Sequence, residues 1–173
     1  MKKKGVRVRS KSGKTKRAKY ILHPVFLFIM HLWMFEISKP LFHLSLIPKT
    51  LSTLLFESFT IQLIGAILIL ISIGFLIASL FSFYDSLRFG MNANNLGKLI
   101  TSGVFSITRN PFFLSIEFLI IGNALIFPSP FLIGFALITI VSIHFFILKE
   151  EKFMKENYGA EYKEYSKKVK RYF

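Results

Sequence analysis

From Phe59 to Tyr84 the chain is apolar without a break, interrupted only by Gln62, Tyr84 and small hydroxyl residues. As a helix at ~1.5 Å per residue, such a run is long enough to cross a hydrocarbon core of ~30 Å. Phe131–Leu148 is almost as long and has His144 as its one strongly polar residue. Phe112–Phe127 is shorter and carries Glu117 and Asn123, and Ile21–Ile37 is apolar and aromatic around His23, His31 and Glu36. Hydrophobic residues make up 53% of the 173 residues, with 21 phenylalanines. These runs specify an all-α integral membrane protein of a single domain over 20–173, preceded by a basic tail.

Charge orients the spans. Residues 1–19 hold ten Lys or Arg and no acid, leaving only +4 of the formal +14 to the rest of the chain. This tail reads as a cytoplasmic topology determinant that touches anionic lipid headgroups, not a specific nucleic-acid site. The charged region is long and no small-x-small cleavage site follows, so a signal peptide is not expected. The segment after Leu148 has eight Lys or Arg against five Glu, and the 84–111 connection has Arg88, Lys98 and Arg109 against Asp85. Both prefer the cytoplasmic side, which requires an even number of crossings. Four transmembrane helices are expected, at Ile21–Ile37, Phe59–Phe83, Phe112–Phe127 and Phe131–Leu148. Lys39–Ser58, broken by Pro40 and Pro48, is expected to be an interfacial or partly inserted helix. Pro128-Ser-Pro130 should turn the chain tightly outside the cytoplasm. The compact length suggests a bacterial cytoplasmic membrane.

Without cysteine the chain has no disulfides, thiolate metal sites or cysteine nucleophiles. His23, His31, His43 and His144 lack metal-ligand spacing at a common depth, and no metal is expected. Chemistry concentrates elsewhere. Asn92-Ala-Asn-Asn-Leu-Gly97 is turn-rich, and Gly103 allows close backbone approach. Asn110 precedes Pro111, so the chain turns there and enters a helix whose first N–H groups favour an anion, with Arg109 alongside. Glu150 and Glu151 end a membrane helix against its dipole, which suits a cationic ligand. Glu117 is an acid inside the third span. In Lys152–Phe173, Phe153, Tyr158, Tyr162, Tyr165 and Val169 recur near helical spacing, and Gly159 should divide this amphipathic stretch into two short helices. It is expected to fold over the connection as a cytoplasmic lid that excludes water.

Four motifs in order and spacing over residues 97–172 resemble the isoprenylcysteine carboxyl methyltransferase family and its phospholipid methyltransferase relatives. They are Thr101-Ser-Gly-Val-Phe105, the turn Arg109-x-Pro111-x-Phe113, the pair Glu150-Glu151, and Gly159-x-Glu-Tyr-x-x-Tyr165-x-x-x-Val169. The resemblance implies a membrane methyltransferase that binds S-adenosylmethionine between the last two helices, the connection and the C-terminal segment. A lipid or lipid-linked acceptor would enter laterally from the bilayer. Carried across position by position, the cofactor site falls on Gly97, Lys98, Leu99, Ile100, Phe105, Asn110, Pro111, Phe112, Phe113 and Glu150, with Arg109 and Glu151 as catalytic flanking residues.

The chain departs from the family pattern at several positions. Gly97 and Asn110 replace histidines, while Phe105 and Phe113 replace tyrosines and lose their hydroxyls. Phe146 stands where the eukaryotic enzymes carry a substrate-binding arginine, which argues against a prenylcysteine carboxylate as acceptor. The alternatives are an NADPH-dependent reductase of the sterol-reductase type, which would need more basic residues around its pocket, and a membrane scaffold that has lost activity.

Overall fold

The computed structural model describes residues 14–43, 46–84 and 98–173, and the chain divides into two compact units, 1–47 and 48–173. All regular structure among the described residues is helical.

The first unit contains α1 (Lys14–Phe42), which includes the expected Ile21–Ile37 segment. It runs through Pro40 and ends at His43, whose φ of 55° lies in the left-handed region. Near its end Glu36 is buried and lies 3.7 Å from the Lys39 ammonium.

The second unit begins with a single turn, α2 (Lys49–Ser52), in place of the longer interfacial helix expected over 39–58. Pro48 starts it, and the Thr53 hydroxyl donates back to the Lys49 carbonyl at 2.6 Å. The chain then extends, and the Leu55 N–H bonds the Pro128 carbonyl at 2.8 Å. A backbone partner outside the segment thus substitutes for further helical bonds.

Three helices follow: α3 (Phe59–Tyr84), α4 (Pro111–Ile126) and α5 (Pro130–Lys168). Two of them, α3 over Phe59–Ser82 and α5, are long and apolar enough to cross a bilayer, whereas α4 is apolar but shorter. Four spans were expected, and two of those have this length and composition. Their outer faces display Leu63, Ile67, Leu70 and Phe81 on α3, and Leu137, Ile138, Val141 and Phe145 on α5. Contiguous apolar surface of this kind belongs in lipid. α4 enters with Pro111 at its first turn, and Ser129 caps α5 by accepting from the Leu132 N–H at 3.3 Å, so 127–130 is the tight turn that Pro128-Ser-Pro130 implied. α5 does not stop at Leu148. It continues to a kink at Gly159, where φ is 54°, and on to Lys168.

Small residues hold α3 and α4 together. Gly65, Ser72 and Ser79 repeat every seven residues on α3 and are all buried. Gly65 faces Gly122, and the Ser72 hydroxyl donates to the Ser115 carbonyl at 2.8 Å. The Gly65–Gly122 and Ser72–Ser115 pairs thus run in opposite directions along the two helices, and Phe75 meets Phe118 edge to face beside them. A Cβ at either glycine would lie 2.7 Å from the other's carbonyl oxygen. Backbones this close gain van der Waals contact that lipid cannot replace, which is how apolar helices associate within a bilayer. Gly122→Val should therefore force α3 and α4 apart and lower stability in detergent by roughly 1–3 kcal/mol, the usual range for overpacking. Gly134→Ala, where an added Cβ meets nothing within 4 Å, should leave the melting temperature unchanged. Thermal unfolding of the two variants checks the contrast.

Candidate active site

The segment 98–110 passes from an exposed Lys98 to a buried Asn110. Leu99 packs with Tyr162 and Tyr165 of the far part of α5, flanked by Met154, Tyr158 and Val169. Gly103, with φ 61°, starts a 3₁₀ turn over Gly103–Ser106. That turn buries Phe105, whose carbonyl accepts from the Tyr165 hydroxyl at 2.6 Å. The C-terminal stretch therefore packs against Leu99 and Phe105 of the connection.

Residues 108–110 are tied by hydrogen bonds to main-chain carbonyls within 166–171. The Arg109 N–H donates to the Lys170 carbonyl at 3.0 Å, and the Thr108 hydroxyl and Asn110 amide both donate to the Arg171 carbonyl, at 2.9 and 3.2 Å. The Arg109 side chain spans the same gap, with Nη1 on the Ser166 carbonyl at 3.0 Å and Nη2 on Glu151 Oε1 at 2.7 Å. Arg171 approaches Glu151 as well, its Nε 3.1 Å from Oε1 and its Nη2 2.7 Å from Oε2. Glu151, only 4% exposed, thus holds two guanidinium groups. Burial opposes its ionisation, but the Arg171 hydrogen bond and the charges of both arginines outweigh it and hold the carboxyl below its ordinary pKa. The same bond raises Arg171.

The neighbouring Glu150 differs. It is half-buried and makes no ion pair among the described residues. Burial first, and then the Glu151 charge, push its pKa up. Burial likewise lifts the Tyr162 and Tyr165 phenols to about 12, so both are neutral hydrogen-bonding groups.

The structure brings Leu99, Phe105, Arg109, Asn110, Pro111 and Glu151 together where the connection, α4, α5 and the C-terminal segment meet. Lys98 faces solvent and Ile100 is half-buried. Phe112 and Phe113 contact each other with centroids 5.7 Å apart, and Phe113 meets Phe146 at 5.3 Å. Gly97 lies outside the described residues, as do Arg88 and Asn92. Sequence reasoning missed Thr108, Arg171 and Tyr172. The signal for Arg171 was a cation placed just past an amphipathic helix while two glutamates on a membrane helix lacked a counter-charge within the chain.

A model of the phospholipid methyltransferase family matches residues 60–161, which cover α3, the connection, α4 and α5 past the glutamate pair. The chain belongs to that family. No curated protein and no solved structure matches it. As a member of the phospholipid methyltransferase family it is a membrane protein of a methyltransferase class, and the motif resemblance read from 97–172 falls largely inside the matched region.

Replacing Glu151 by Gln leaves two partly buried guanidinium groups without their counter-charge and should cost on the order of 3 kcal/mol. The pH dependence has a definite sign. Glu151 has a lower pKa folded than unfolded, so the unfolded chain binds more protons as pH falls through and below 4.5, its ordinary value. Stability from this group is complete above that pH and lost in acid. Melting curves from pH 7 to 3 should show this loss in the wild type and a smaller slope in Glu151→Gln.

Proposed function

We propose that the chain is an S-adenosylmethionine-dependent methyltransferase that acts on a lipid or lipid-linked acceptor. The observation that carries this reading is the contrast within the glutamate pair. Glu151 has its counter-charges from Arg109 and Arg171, while Glu150, one residue away and half-buried, has none among the described residues. A carboxylate in that condition is balanced by a cationic ligand. The cofactor carries an ammonium and a sulfonium, and Glu150 is the group we assign to them. The bound cofactor supplies a methyl group on positively charged sulfur.

The remaining residues orient and enclose. Phe105 and Phe113 offer aromatic area for an adenine ring or an acceptor tail, with Phe112 beside them. Asn110 and Pro111 fix the entrance of α4, and Leu99 packs under the C-terminal helix with Lys98 and Ile100 on either side; Gly97, which the resemblance also assigns to the cofactor, lies outside the described residues. Arg109 keeps one N–H, at Nε, without a partner, and this donor is left for an anionic group of the cofactor or acceptor. Glu151 supports the reaction by fixing Arg109. Alignment of donor and acceptor with water excluded can lower a barrier by ~7–11 kcal/mol. An NADPH site is less well supported, because its phosphates need free cations and both guanidinium groups here are held by Glu151. The resemblance to the isoprenylcysteine methyltransferases supports the cofactor half, whereas Phe146 leaves their acceptor carboxylate without its arginine.

Titration calorimetry of S-adenosylmethionine into the detergent-purified chain tests the reading. Micromolar binding is expected, weakened at least tenfold in Glu150→Gln. That variant should melt no lower than wild type, since it removes a carboxylate that is costly to ionise. Folded wild-type protein that fails to bind the cofactor, or a Glu150→Gln variant that binds it equally well, would overturn the assignment.

A further inference from the structure

Glu117 takes no part in the site described so far, yet it is 6% exposed on α4 and its Oε1 has no hydrogen-bond partner. An acid in this state within a span is costly unless something from outside the protein meets it. It lies six residues beyond Pro111, about 9 Å along the helix. His144 lies seven residues before Glu151 on α5, at a comparable ~10 Å. Between them comes Tyr172 from the segment after α5. Its hydroxyl shares a 2.9 Å hydrogen bond with His144 Nδ1, and its ring stacks on the imidazole. The Glu117 carboxylate is close enough to Tyr172 to raise the phenol's pKa, after the larger effect of burial. Phe173 continues the segment onto Phe118 and Phe75, beside Glu117 in sequence and across the α3–α4 seam.

The family resemblance assigns none of Glu117, His144 and Tyr172. Their polar groups gather one to two helical turns below the Arg109–Glu151–Arg171 cluster. Next to His144 the surface of α5 is apolar and open, at Val141 and Phe145. A group arriving from the bilayer would reach this depth without crossing the lid.

We propose that Glu117, flanked by the His144–Tyr172 pair, receives the head of the methyl acceptor by accepting a hydrogen bond from an N–H or O–H that the head presents. This rests on the methyltransferase reading and deepens it, since it places an acceptor contact for a chain that lacks the arginine at position 146. It also gives the site a chemical preference. A buried acceptor oxygen without a partner favours a head that can donate and disfavours one whose donor has been capped. Methylation of a hydroxyl removes that donor, so the capped product would be held less tightly than the substrate.

The test compares binding of dodecylammonium, dodecanol and dodecyl methyl ether to the detergent-purified full chain, with S-adenosylmethionine affinity measured on the same samples. Wild type should bind one or both donor-headed probes at least tenfold more tightly than the ether, and the better of the two identifies the head as ammonium or hydroxyl. Glu117→Leu should abolish the discrimination, keep cofactor affinity within threefold, and melt no lower than wild type because it removes an unsatisfied acid. Glu117→Gln keeps the shape and should reduce any preference for the ammonium. Equal binding of all three probes by wild type, or discrimination that persists in folded Glu117→Leu or, should that variant not fold, an ammonium preference that persists in Glu117→Gln, would overturn the inference. Discrimination without cofactor binding would keep the Glu117 site and remove the methyltransferase reading.

Discussion

The double ion pair of Glu151 with Arg109 and Arg171 joins three pieces of chain distant in sequence: the connection before α4, the far part of α5, and the residues that follow it. Around it the Arg109 N–H and the side chains of Thr108, Arg109 and Asn110 bond to carbonyls within 166–171, and the Leu99–Tyr162–Tyr165 cluster closes the adjoining layer. A buried ion pair need not stabilise a fold more than apolar packing would. Its value here lies in geometry, because guanidinium forks fix direction as well as distance. With Glu151 so engaged, Glu150 makes no ion pair among the described residues.

The α3–α4 seam makes this arrangement possible. Gly65 and Gly122 bring the two backbones together, and Ser72 locks their register through Ser115. Register matters because α4 begins at Asn110-Pro111, directly after the ion-paired Arg109. A shift of α4 along α3 would move the entire floor of the candidate site.

Much of the helical layout was legible in the sequence, because long apolar runs have few solutions. Phe59–Tyr84 and Phe131–Leu148 appear as helices of spanning length or part of one, and the Pro-Ser-Pro turn lies where its residues demanded. The packing of the C-terminal stretch on Leu99 was also legible, since Tyr158, Tyr162, Tyr165 and Val169 recur near helical spacing, although Gly159 kinks the helix and Val169 lies just past its end. The chain's own counter-charges were less accessible. Nothing in local pattern says which of two adjacent glutamates faces inward, and a 100° step around the helix decides it. Arg171 lay in an ordinary basic run, and its role depends on a contact across twenty residues. The Gly65–Ser72–Ser79 repeat was visible as spacing but gained meaning only against Gly122 and Ser115. The helix expected at 39–58 gave way to a single turn because Pro48 and the Leu55–Pro128 bond draw the backbone into another pairing.

We place the proposed S-adenosylmethionine site between residues 98–113 and the glutamate pair. Ultraviolet cross-linking of labelled S-adenosylmethionine to the full chain in lipid nanodiscs, followed by mass mapping of the attached peptides, tests it most directly. The account predicts label within residues 98–113 and 146–165, displaced by excess S-adenosylhomocysteine. Label confined to other segments, or label that the competitor does not displace, would contradict it.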